Sequence, residues 1–183
     1  MNKSGILMLK EVGACTESIE WVASVKDIET AWAICPRSDW MIWALRKIGF
    51  KDPRKYRLWA CACIRGMPLA DDRTLWDLLT DERSRVVVEV AERYANGNAT
   101  EEERADAYAS ATSATSASTS AYAAAAAAAS AAAAAAYVAS AADASAAFDS
   151  ARAWQADLLR QWISWDEVER AIKAYDLSTE AKL

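Results

Sequence analysis

Apolar residues recur three and four positions apart through most of the first half of the chain, and strand-like alternation is scarce. Thr16 opens one such stretch, with Ile19, Val22 and Val25 on a shared face. Asp27 opens the next, with Ile28, Trp32 and Cys35 at helical spacing until Pro36 stops it. Ser38 reads as the N-cap of a helix over Asp39 to Ile48, where Met41, Ala44, Leu45 and Ile48 form an apolar stripe and Gly49 ends it. Asp52 followed by Pro53 is a cap with proline in the first turn, so a helix is expected over Arg54 to Ile64, closed by Gly66 and Pro68. Asp71 or Asp72 is expected to start a short helix through Leu79. Asp81 is expected to start a longer one over Glu82 to Ala95, with Gly97 as a left-handed stop. With strand-like alternation so scarce, only Gly5 to Val12 could form a short extended arm.

The pattern changes at Thr100, which forms a capping box with Glu103. More than half of residues 101–150 are alanine, the residue with the highest helix propensity, so Ala121 to Ala147 is expected to be helical. Serine and threonine alternate with alanine over Ser110 to Ser120 and compete for backbone hydrogen bonds, which places a turn near Ser116 to Ser120. A second capping box, Ser164 with Glu167, ends the following helix near Ile163 and begins a last one over Trp165 to Tyr175. Without the turn, Thr100 to Ile163 would form one helix roughly 95 Å long at 1.5 Å per residue, out of scale with a chain of this size. Tyr108, Tyr122, Tyr137, Phe148 and Trp154 fall along one broad stripe of this segment and read as packing pegs. The expected fold is all-α: a bundle of short, tryptophan-rich helices packed on a long alanine-rich helical hairpin. Its parts are 1–97, the tryptophan-rich subdomain, 98–163, the hairpin, and 164–183, a C-terminal helix and tail, forming one compact unit.

Composition narrows the chemistry. The 183 residues contain no histidine, which removes the commonest general base and metal ligand together with every imidazole-dependent triad. A net charge of −5 argues against a general nucleic-acid binder. Cys15, Cys35, Cys61 and Cys63 lie in apolar contexts without the spacing of a secreted scaffold, and read as reduced, intracellular core residues. Cys61 and Cys63 are two apart, about 200° on a helix, and cannot hold one ion together. The acid pairs Asp71-Asp72 and Asp81-Glu82, and the run Glu101 to Glu103, fall at helix starts and read as caps. No metal site, cofactor or catalytic residue is therefore expected, and the chain is read as non-enzymatic. Ala121 to Ala139 has the length of a membrane span, but alanine is barely hydrophobic and no basic residues flank the stretch, so no membrane insertion is expected. Thr112, Thr115 and Thr119 are too confined to make an ice-binding face. The N-terminal apolar run is short and broken by Lys10 and Glu11, so no signal peptide is read and a cytoplasmic location is expected.

One segment stands out electrostatically. Arg46, Lys47, Lys51, Arg54, Lys55, Arg57 and Arg65 are opposed only by Asp52, a local excess of six positive charges in an acidic chain. Trp40 and Trp43 precede them, and Tyr56 and Trp59 are interleaved. Cations beside aromatic faces can hold an acidic protein surface, a nucleotide or another small anion. The bland alternative is a solvated helix face whose charges pair with the acidic remainder of the chain.

Three stretches carry a resemblance: Leu58-Trp59-Ala60-Cys61-Ala62-Cys63-Ile64-Arg65, then Leu75-Trp76-Asp77-Leu78-Leu79-Thr80-Asp81-Glu82-Arg83-Ser84-Arg85, then Val88 to Glu103. With Trp32-x-x-Cys35 and Asp39-Trp40-Met41 upstream, they resemble an uncharacterised alanine-rich family of bacteria, notably planctomycetes, and of tailed phages and prophages. Some members of that family are labelled putative immunity proteins. The likeness spans roughly Trp32 to Leu159 and departs from the family pattern at Ile64, where many relatives have cysteine, and in the tail from Ser164. It implies an all-α fold and a phage or prophage setting, and it brings no catalytic residues. The expected function is then a non-enzymatic protein that binds and modulates a host or phage protein in the host cytoplasm, in a defence or immunity context. The alternative is a nucleotide- or small-anion-binding module that uses residues 46–65. The candidate site residues are Arg46, Lys47, Lys51, Arg54, Lys55, Arg57, Trp40 and Trp43; homo-oligomerisation is left open.

Overall fold

The computed structural model describes residues 3–69, 72–112 and 141–180, and these form an all-α structure with no strand among them. Among the described residues ten helices follow in order: α1 Lys3–Glu11, α2 Thr16–Ser24, α3 Ile28–Ile34, α4 Ser38–Lys47, α5 Pro53–Gly66, α6 Leu75–Leu78, α7 Glu82–Ala95, α8 Glu101–Thr112, α9 Ala141–Trp162 and α10 Trp165–Glu180. Local capping sets most of the starts. The Asp27 carboxylate accepts from the Thr30 N–H at 2.8 Å, and that of Asp52 accepts from the Lys55 N–H at 2.9 Å. Thr100 and Glu103 satisfy each other's backbone N–H groups at 2.7 and 3.1 Å, and Gly97 takes the left-handed conformation (φ 77°) that lets α8 turn back on α7. The expected turn near Ser116 to Ser120, and residues 113–140 of the expected alanine-rich hairpin, lie outside the described residues.

The sequence expectations require correction in four places. Gly5 to Val12 is not an extended arm; its residues through Glu11 belong to α1, because Leu9 is buried and Ile6 packs beside it in a small N-terminal core with Val22 and Ala31. Ser38 is not a cap but the first residue of α4; its hydroxyl is buried and donates to Gln155 Oε1 at 2.9 Å, so a tertiary partner replaces the local one. The short sixth helix is capped by Thr74, whose N–H donates to Asp77 at 2.7 Å, and not by Asp71 or Asp72. Cys15 is exposed and is no core residue, whereas Cys35, Cys61 and Cys63 are buried.

Two cores follow from this arrangement. The main one joins α4, α5, α9 and α10 through Met41, Ile42, Leu45, Trp59, Leu159, Ile163 and Val168. Trp59 is fully buried at its centre and donates its indole N–H to the Gln155 backbone carbonyl at 3.1 Å. On α9 the small Ala156 lies fully buried in this core, where a methyl side chain lets neighbouring elements approach closely. A satellite cluster of Met67, Leu69, Leu75 and Ala151 seats α6 against the end of α5. The N-terminal core of α1 to α3 is smaller. Arg160 of α9 ties its far end down by donating to the Trp32 carbonyl at 2.8 Å and to the Cys35 carbonyl, two acceptors that the end of α3 leaves open.

Candidate functional site

Trp40 and Trp43 sit three residues apart on α4 and face different cores: Trp40 packs on the main one, Trp43 on that of α1 to α3. Between the cores lies a cavity of about 280 Å³. Trp40 and Trp43 line it together with Trp21 of α2, Trp32 of α3 and Trp165 of α10, so five of the nine tryptophans meet here. Trp21 and Trp40 approach with ring centroids 6.2 Å apart, tilted by 57°, a favourable aromatic geometry. Val22, Ala31, Met41, Leu45 and Val168 form buried walls, and exposed Gly13 and Cys15 mark the solvent side.

Charge at this rim is balanced within the protein. Asp39 is the one carboxylate in the lining. Arg37 donates to both of its oxygens at 2.9 and 2.8 Å, and Arg152 lies 3.7 Å away. Burial pushes the Asp39 carboxyl up, but the Arg37 hydrogen bonds and the two guanidinium charges outweigh it, and the group lies below its usual range. Arg37 also stacks on Trp40, 4.4 Å from the ring centroid, and reaches Glu17 at 3.4 Å. Cys15 precedes α2, where the Ser18 side chain and then its N–H hold the thiol below its ordinary value.

The basic segment divides in two. Lys55 donates to both Glu167 oxygens at 2.5 and 2.6 Å, a partly buried strut from α5 to α10. Arg65 makes a fork with Glu92 of α7 at 2.6 and 2.8 Å while lying 4.1 Å over Trp76. Arg54 caps the end of α7 through the Ala95 carbonyl at 2.8 Å and Asn96 at 3.0 Å, and Arg57 stacks 4.8 Å over Tyr94. These four cations bind structure together in different directions. Arg46, Lys47 and Lys51 are exposed and form no ion pair with a described carboxylate. Lys47 lies 5.5 Å over the Trp43 ring, so this edge adjoins the aromatic wall. None of the seven basic residues lines the cavity.

Sequence reasoning therefore named Trp40 and Trp43 but missed Trp21, Trp32, Trp165, Arg37 and Asp39. The density of tryptophan in the first half was the available signal. Among the described residues no group of three or more Cys, Asp or Glu is placed to hold a metal ion, and no helix is long and apolar enough to cross a membrane. No family model matches the chain, and no curated protein or solved structure matches it.

Proposed function

We propose that the chain is a non-enzymatic interaction protein that binds an acidic surface of a partner protein through Arg46, Lys47 and Lys51, with Trp43 beside them. The observation that carries this reading is the division of the basic segment. Four of its cations are engaged internally, while these three are exposed at one edge and form no ion pair with a described carboxylate, so they can steer an acidic partner and contact it directly. Trp43 supplies the aromatic contact that binding hot spots favour. In this reading the tryptophan-rich bundle rests on an alanine-rich helical hairpin that serves as scaffold. The family resemblance supplies the setting: a phage or prophage protein acting in the host cytoplasm on a host protein, in defence or immunity. A nucleotide site draws less support, because Arg54, Lys55 and Arg65 turn to separate intramolecular acceptors and Arg57 to the Tyr94 ring, so they do not converge on one volume.

The test uses the full chain and a variant with Arg46→Glu, Lys47→Glu and Lys51→Glu combined. A partner retained by the parent protein should be lost by the variant and released as salt rises, because exposed charges are screened over about 8 Å at physiological ionic strength. Equal retention by both proteins, insensitive to salt, would return these residues to the role of a solvated face.

A further inference from the structure

We propose that the cavity between α1–α3 and the α4/α10 face is a binding site for a small, uncharged aromatic molecule. Scaling from a 150 Å³ cavity that accepts benzene, its roughly 280 Å³ takes a ligand of about eleven non-hydrogen atoms, the size of a substituted bicyclic ring. The space opens to solvent beside Gly13 and Cys15 and is otherwise walled by packed apolar side chains, the usual form of a small-molecule pocket. Water is a poor occupant, since it needs two to four polar partners and the lining is overwhelmingly apolar.

The choice of an uncharged ligand follows from the polar groups present. Asp39 is already neutralised by Arg37 and Arg152, and the Ser18 hydroxyl is committed to the Cys15 carbonyl at 2.8 Å. A charged ligand would lose its hydration and find no free counter-charge in the wall. An aromatic ligand fits better than a flexible chain. Trp21, Trp32, Trp40, Trp43 and Trp165 offer ring faces and edges, and methionine sulfur, as in Met8 and Met41, favours contact with aromatic rings. The site is distinct from the cationic edge, which it touches only through Trp43.

Calorimetric titration of the full chain with 2-naphthol, 2-naphthoate and 2-naphthylmethylammonium tests this at neutral pH. Saturable one-to-one binding of 2-naphthol is expected, with both charged analogues at least about tenfold weaker, and a tenfold change corresponds to about 1.4 kcal/mol. Ala44→Leu on α4 and Ile172→Phe on α10 each narrow the cavity from a different helix, and each should weaken 2-naphthol by a similar factor while circular dichroism and the melting temperature show a folded protein. The absence of saturable binding up to about 1 mM, equal affinity for the charged analogues, or full affinity in a folded variant would each overturn the proposal. If neither variant folds, the three-ligand series on the unmodified chain decides.

Discussion

The hydrogen bond between Ser38 and Gln155 should behave as a coupled, buried pair that fixes α4 against α9. Both side chains are about 1 % exposed, and the Ser38 hydroxyl donates to Gln155 Oε1 at 2.9 Å. Gln155→Leu keeps most of the volume but leaves the hydroxyl buried without its acceptor, which should destabilise by about 1 to 3 kcal/mol. Ser38→Ala removes this donor from the amide oxygen, with a cost of the same order, about 1 to 2 kcal/mol. The double variant lacks both the hydroxyl and the amide, so the bond between them is lost once and not counted twice, and it should be less destabilised than the sum of the singles by about 1 to 2 kcal/mol. The cycle cancels whatever else Gln155 does, including its approach to the Met67 sulfur at 3.6 Å and its backbone bond to Trp59. Urea unfolding followed by tryptophan fluorescence and by circular dichroism measures all four proteins, with coincident transitions checking two-state behaviour. Additivity within about 0.3 to 0.5 kcal/mol would refute the pairing, and with it the explanation of why Ser38 abandons its role as a cap.

Two further outcomes are expected. The Tyr56 hydroxyl is buried without a hydrogen-bond partner among the described residues, and burial pushes its pKa up to about 12; Tyr56→Phe should therefore leave stability unchanged or raise it by about 1 kcal/mol, and a loss larger than that in a urea melt would show that the hydroxyl has a partner. Glu167 lies below its ordinary pKa: burial acts to raise it, but the Lys55 and Ser164 hydrogen bonds and the Lys55 charge prevail. Its contribution is thus present above the unfolded glutamate value of about 4.3 and is lost as pH falls through the depressed folded value. Lys55→Met should reduce stability at neutral pH by about 1 kcal/mol, discounted because both side chains are about one-fifth exposed, and should flatten the decline below that value. An unchanged acid limb in stability measured from pH 7 downwards would remove the strut from the account.

What the sequence disclosed was what adjacent residues decide. Asp27 with Thr30, Asp52 with Lys55, Thr100 with Glu103 and left-handed Gly97 are contacts within three or four positions, so helix boundaries there could be read directly. Thr74 with Asp77 is equally local, and was overlooked because the neighbouring Asp71-Asp72 offered a competing cap. The arm expected at Gly5 to Val12 failed for a different reason. Its apolar residues needed Val22 and Ala31 as a surface to pack on, and that surface exists only after α2 and α3 have folded beside it. The fate of the basic segment lay still further from inspection. Lys55 and Glu167 are separated by 112 positions and Arg65 and Glu92 by 27, so a run that is strongly positive as written becomes two sets of struts and one free edge. The cavity had no linear signature beyond the density of tryptophan in the first half, because its five tryptophans come from four helices and its one carboxylate is neutralised by Arg37 and Arg152. Of the two surfaces proposed here, the cationic edge follows from subtracting these long-range pairs from a visible charge run. The aromatic cavity follows only from the packing of α4 between the two cores, so the anchoring of α4 by Ser38, Gln155 and Trp59 is the condition on which the cavity depends.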